Sequence, residues 1–231
     1  MRHIKSFHAM TDLNEKNENR KYVITVGRQF GSGGREFARH IADAFGIAYY
    51  DKELLLEAAC HAGVDAGFFE RSDEKFPTFT GGGFSFNMGI SSMPWYTPSS
   101  ISDESIYRDM SDVIKEIADR GPCVIVGRSA DYVLRDHGVD TINLFIHASM
   151  DDCVKRILRR GDKLKEQEAK ALAEKTNKLR ANYYNFYTDK RWGMASSYDL
   201  CLNSSLLPME GMVDVLARYM ERRLGFNPLA R

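Results

Sequence analysis

Three glycines and a serine in a row of four, Gly31-Ser32-Gly33-Gly34, are the residues best fitted to chemistry on an anion. A glycine takes positive φ without strain and lets main-chain amides approach a charged group with no Cβ in the way. Ser32 offers a hydroxyl donor. Arg35 and Glu36 carry the stretch into what reads as the first turn of a helix. Unpaired N–H groups and the positive end of the helix dipole favour phosphate there. Residues Gly31, Ser32, Gly33, Gly34, Arg35 and Glu36 are therefore the candidate phosphate-binding set.

Two loop patterns compete for this stretch. A dinucleotide fingerprint needs a third glycine where Glu36 stands, although Asp51 sits twenty residues past Gly31, where a ribose-binding acid belongs. The lysine-bearing phosphate loop fails at Gly34, which occupies the lysine's place, and no Ser or Thr follows it. Neither match is complete.

The elements around the loop supply its context. Tyr22-Val23-Ile24-Thr25-Val26 is a β-branched run that stops at Gly27, the pattern of a buried strand. After the loop, Phe37, Ala38, Ile41, Ala42 and Phe45 recur at helical spacing, and Gly46 stands where a C-cap glycine belongs. Ile47–Tyr50 reads as a second strand and Leu54, Leu55, Ala58 and Ala59 as a second helix. Residues 63–102, with Gly81-Gly82-Gly83 and several prolines, hold no period and read as an irregular excursion or flap. Helical spacing returns through Ile106, Met110, Val113, Ile114 and Ile117. Further strands follow at Cys123–Val126, Ile142–His147 and Tyr198–Leu202. One charged helical segment runs over about 151–187, and a closing helix passes through Met212, Val215, Leu216 and Tyr219. Strands alternating with helices predict an α/β fold with a doubly wound, mostly parallel five-stranded sheet and helices on both faces. Val26-Gly27-Arg28 and Val126-Gly127-Arg128 share three residues, but no repeat extends from them.

Bulk properties narrow the partners. The chain has 231 residues, 43% of them hydrophobic, enough for one sizeable core. We read residues 1–21 as a polar leader, 22–226 as a single domain and 227–231 as a tail. Lys plus Arg number 32 and Asp plus Glu number 32, so no global field draws the protein to nucleic acid or an anionic membrane. Any anion site must be local. The four cysteines form no Cys-x-x-Cys pair, which argues against structural zinc and a disulfide framework, and Cys123 and Cys201, in strands, read as inert packing residues. With no apolar signal-peptide core and no run of about 18 apolar residues, a cytoplasmic location is expected.

From Ile24 to Glu36, and again through Tyr49-Tyr50-Asp51-Lys52-Glu53-Leu54, the sequence resembles the opening of the cytidylate-kinase-like family, a branch of the P-loop nucleoside monophosphate kinase fold. The resemblance continues in order through Val124–Asp131, through Phe145–Ser149 with Arg156, and through Tyr183-Tyr184, Trp192-Gly193 and Tyr198-Asp199-Leu200. It spans roughly residues 22 to 220. It implies a helical lid at about 151–187, ATP as phosphoryl donor with magnesium accompanying it, and a cytidylate-like nucleoside monophosphate as acceptor. Cytidylate kinases carry a lysine where Gly34 stands and an aspartate where Asn177 stands. A nucleotide-binding regulatory module without turnover is therefore the alternative, and an NAD(P)-dependent oxidoreductase a more distant one.

The same resemblance organises the arginines. In the family's fold the strands ending at Arg28 and Arg128 lie side by side, about 4.8 Å apart. Two guanidiniums that close repel unless an anion or carboxylate lies between them, which makes a phosphate clamp, with Asp51 or Asp131 as internal counter-charge. Arg128, Asp51 and Asp131 are the expected substrate-binding residues. Arg28 joins Arg156, Arg160 and Arg180 of the lid as candidate catalytic residues, the lid arginines folding over donor phosphates and excluding water. The ordinary alternative is a solvated charged face with i,i+4 partners. Asp51 and Glu36 are candidate outer partners of magnesium, with no direct metal ligand assigned. Tyr183, Tyr184, Phe186, Tyr187 and Trp192 read as core aromatics or as a stacking surface for a base. The expected partners are nucleotides, and a homo-oligomer is compatible with the sequence.

Overall fold

A computed structural model describes residues 20–61, 101–160 and 164–230. The leader up to residue 19 and nearly all of the expected 63–102 excursion lie outside the described residues. Strand β1 (Tyr22–Arg28) leads through the glycine loop into α1 (Gly34–Phe45), then β2 (Ala48–Tyr50) and α2 (Lys52–His61). Helix α3 (Ile101–Arg120) precedes β3 (Cys123–Val126), the short α4 (Ala130–Val133) and β4 (Asp140–His147). Helices α5 (Met150–Arg159) and α6 (Glu166–Tyr187) are followed by β5 (Leu200–Asn203) and α7 (Met209–Leu224).

The five strands are parallel, in the order β2-β3-β1-β4-β5. Central strands of such a sheet are covered on both faces, so alternate residues feed two cores. Ile24 and Val26 of β1 pack with Val124, Val126, Ile142, Leu144 and Ile146 beneath α1 and α7. Val23 and Ile125 face the other way, against Met110, Val113, Ile114 and Ile117 of α3 and Leu55 of α2. A smaller third cluster joins Phe30 of the loop to Val154 and Ile157 of α5 and Ala169 and Ala173 of α6. That cluster fixes the helical arm over the loop.

Two expectations are corrected. The 151–187 segment is two helices: α5 ends at Arg159, and α6 starts at Glu166, where the Glu168 carboxylate accepts from the Lys165 amide at 2.7 Å. Cys201, read as a packing residue, is exposed on edge strand β5, whereas Cys123 is buried as expected. No helix among the described residues is long and apolar enough to cross a membrane.

Candidate active site

The loop after β1 is shaped by close approaches. Gly31 has φ 79° and Gly33 has φ 77°, the left-handed region. A Cβ on Gly31 would stand 2.7 Å from the carbonyl oxygen of Cys153 in α5. The first helical residues of α1 have no side-chain cap, and the Phe37 amide is the first to bond back, to Gly33 at 2.9 Å. The amides of Gly33, Gly34, Arg35 and Glu36 therefore have no acceptor among the described residues. Such a nest of orphan donors at a helix start is suited to an anion.

Ser32 contributes differently from the expected donor role. Its hydroxyl donates to the Gln29 carbonyl at 2.9 Å, and the side chain is fully buried. The Ser32 carbonyl in turn accepts from Ser204 Oγ at 2.6 Å. Ser32 thus braces the loop from inside and leaves its amide neighbours to face outward.

Above the loop lies a cleft of about 410 Å³ at the carboxyl ends of β1 and β3, where ligands bind in a parallel sheet. Arg28, Arg35, Arg128, Arg160 and Arg180 line it, with Asp51 and Asp131. Arg180 Nη1 donates to the Arg28 carbonyl at 3.0 Å, and the guanidiniums of Arg160 and Arg180 sit 5.8 and 5.6 Å from the centre of the Phe30 ring. Asn177 Oδ1 accepts from the Phe30 amide at 2.7 Å, so α6 is tied directly to the loop. The position that departs from the related pattern is used here to hold the arm in place.

Charge inside the cleft is not balanced as expected. Asp51 does not neutralise the Arg28 and Arg128 pair. Its Oδ2 accepts from Arg35 Nη2 at 2.6 Å and from Tyr49 Oη at 3.1 Å, with Arg39 at 3.7 Å. Burial works to raise the Asp51 carboxyl, but the Arg35 bonds and the Leu54 amide outweigh it and hold it below the usual carboxylate range. Asp131 is also engaged elsewhere. It accepts from Tyr184 Oη at 2.6 Å and pairs with Lys190 at 3.7 Å, and burial pushes its carboxyl upward. No carboxylate among the described residues forms an ion pair with Arg28, Arg128, Arg160 or Arg180. Desolvation, reinforced by Arg128, pushes Arg28 down to about 10, and desolvation with Arg28 and Arg160 lowers Arg180 as well. These are cations held together at a cost.

The backbone at Arg128 carries strain as well. Gly127, Arg128 and Ser129 take φ of 80°, 56° and 52° in succession. Arg128 Nε and Ser129 Oγ are buried without a hydrogen-bond partner. Strained φ and unsatisfied polar atoms concentrate where a ligand completes the structure.

Arg156 and Glu36 do not line the cleft. Arg156 donates to Ser204 Oγ at 3.2 Å and to the Ser204 carbonyl at 2.9 Å, with its Nε 3.7 Å from where a Cβ on Gly33 would stand. It supports the loop from behind. The Glu36 side chain is exposed and turned away from the cleft lining. Tyr183, Tyr184, Trp192 and Tyr198 do line the cleft, while Tyr187 stacks on Tyr107 of α3 at 4.2 Å. The reasoning from sequence missed Phe30, Tyr198 and Ser204. Phe30 directly precedes the glycine stretch and Tyr198 belongs to a segment that resembles the family, and those were the signals available. Magnesium finds no protein cage: no group of three or more His, Cys, Asp or Glu among the described residues could hold a metal, and Asp51 is already bonded.

A central β1, a glycine loop opening onto α1, and a cationic cleft at the strand ends define a P-loop kinase-type fold. The cytidylate kinase-like family matches over residues 23–206, and the chain belongs to that family. A crystal structure of an uncharacterized protein from Eubacterium ventriosum is similar, with TM-score 0.65 and 26% identity, covering 88% of this chain and 100% of that one. A gluconokinase from Sinorhizobium meliloti shares the fold at TM-score 0.52 and 16% identity, covering 90% and 98% of the two chains. A shikimate kinase from Bacteroides thetaiotaomicron does so at TM-score 0.50 and 12% identity, covering 87% and 98%. No curated protein matches the chain.

Proposed function

We propose that the protein transfers the γ-phosphoryl group of ATP to a nucleoside monophosphate of the cytidylate type. The carrying observation is the set Arg28, Arg128, Arg160 and Arg180, unpaired with any described carboxylate and facing one cleft above free loop amides. Like charges gathered in a partly desolvated site are tolerated when a polyanion completes them, and two facing nucleotides supply several phosphates. Family membership supports the same reading.

In the transfer, an oxygen of the acceptor phosphate forms a bond to the γ-phosphorus. The bond from that phosphorus to the bridging oxygen breaks, and its electron pair leaves on ADP. An ionised acceptor phosphate needs no proton removed, so the protein's work is positioning and neutralising charge. The loop amides hold the donor, Arg128 faces the acceptor, and Arg160 and Arg180 on Phe30 close over the transferred group. Tyr183, Tyr184, Trp192 and Tyr198 form the aromatic wall against which a base stacks. Magnesium would accompany the nucleotide, held by phosphate oxygens and water.

A coupled assay of ADP release with ATP, magnesium and a panel of nucleoside monophosphates tests this directly. Turnover with a pyrimidine monophosphate is expected. If no monophosphate is phosphorylated while calorimetry detects ATP binding, the second reading holds, a nucleotide-binding module without turnover, which the glycine at position 34 favours.

A further inference from the structure

The lysine-bearing phosphate loop has the pattern G-x-x-x-x-G-K-[ST]. Laid on this chain with its second glycine at Gly33, the lysine position is Gly34 and the first glycine position is Arg28. The chain thus departs from the pattern twice, in opposite senses. Where the pattern has no side chain, this protein has a long cation, and where the pattern has the cation, this protein has no side chain.

The structure shows that the two departures are one. A Cβ on Gly34 would stand 2.5 Å from Cβ of Arg28, closer than real Cβ atoms approach, and a tight 3.2 Å from its Cγ. Ile146 Cβ, at 3.2 Å, closes the other side. Only one of positions 28 and 34 can carry a side chain. Beyond Gly34 the Arg28 side chain runs to Gly127, where a Cβ would collide with its Nη1. Gly34 and Gly127 therefore form the two walls of a channel that leads the guanidinium from the end of β1 into the cleft.

We propose that Arg28 replaces the phosphate-loop lysine, contacting the terminal phosphates of the donor from the strand end, and that Gly34 is glycine because Arg28 needs its space. This rests on the nucleotide-binding reading above and deepens it by naming the cation that holds the donor's terminal phosphates.

Arginine fits this place for a physical reason. Burial and Arg128 bring Arg28 down to about 10, which leaves it charged at neutral pH. A lysine starts about 2 units lower than an arginine, so the same surroundings would bring its ammonium closer to neutrality than they bring a guanidinium. Burial, with Arg128 and Arg35 close by, thus selects the stronger base.

The test combines four variants with a readout that does not require turnover. Calorimetry with ATP, ADP and inorganic tripolyphosphate is run on the wild type, Arg28→Gly, Gly34→Lys and the double variant Arg28→Gly/Gly34→Lys, with circular dichroism confirming the fold of each. Arg28→Gly should weaken ATP and tripolyphosphate at least tenfold and ADP by less. Gly34→Lys alone should weaken all three, and the double variant should recover at least a fivefold share of the loss in ATP affinity seen in Arg28→Gly. Equal affinities in the wild type and Arg28→Gly, or a folded Gly34→Lys that binds ATP as the wild type does, would overturn the proposal. So would a double variant no better than the product of the two single losses. If Gly34→Lys fails to fold, Gly34→Ala in the wild type and in the Arg28→Gly background decides the same point: harm in the first and none in the second is expected, and equal harm in both would overturn the proposal. Because tripolyphosphate and ATP binding are read without an acceptor, a wild type lacking kinase turnover would defeat the reaction proposed above and leave this one standing.

Discussion

The same three residues, Val-Gly-Arg, end both β1 and β3, and they fold differently. At the end of β1 the chain stays extended through Arg28, because β4 continues beside it and Gly27 and Arg28 stay in register with Phe145 and Ile146. At the end of β3 the neighbour on one side stops at Tyr50, opposite Ile125, and on the other the register with β1 ends at Val126. Freed from the ladder, Gly127, Arg128 and Ser129 turn through three left-handed residues into α4. Identical sequence thus delivers one arginine along the sheet and the other across it. Conformation here is decided by whether a neighbouring strand supplies partners, and tripeptide identity carries no such information.

The largest effect that would break this comparison is on turnover. Arg28→Ala and Arg128→Ala should each lower kcat/KM about 100-fold or more, the scale of losing a charge-stabilising donor, measured by ADP release. If only one of them does, the two strand ends are not a joint clamp. Next comes backbone cost. Gly127→Ala places a Cβ against the Arg28 guanidinium at φ 80° and should destabilise by about 1–3 kcal/mol in urea melts. Arg128→Gly should do the opposite, raising stability by about 1 kcal/mol through relief of the left-handed strain while weakening nucleotide binding. The smallest effect concerns pH. Asp51 has a depressed carboxyl, so its contribution is present at neutral pH and is lost as pH falls through the folded value. Asp51→Asn should lower stability at pH 7 and remove that part of the acid-side slope, as read from melts between pH 3 and 7.

Most of the sheet was legible because β-branched runs and helical periods are local. The first four strands and α1 fall within two residues of where the periodicities put them, and for the central strands β1, β3 and β4 burial on both faces demands such runs. The last strand, expected over 198–202, is observed at Leu200–Asn203. The four-residue α4 was missed because its length is too short for any period to register. In the site, the glycines and the two strand-end arginines stood out by type and spacing. Partner choice did not. That Asp51 would serve Arg35 and Arg39, that Asn177 would catch the Phe30 amide, and that Arg156 would support Ser204 all depend on contacts between distant parts of the chain.

A cleft in which Arg28, Arg128, Arg160 and Arg180 have no carboxylate partner among the described residues should collect small anions from its solvent. Inorganic phosphate or sulfate in a storage buffer should occupy the hollow in front of α1, raise the melting temperature by mass action, and weaken every nucleotide titration made in that buffer. If the proposed site is the one that takes nucleotide, apparent affinities should therefore shift with the composition of the buffer in which they are measured.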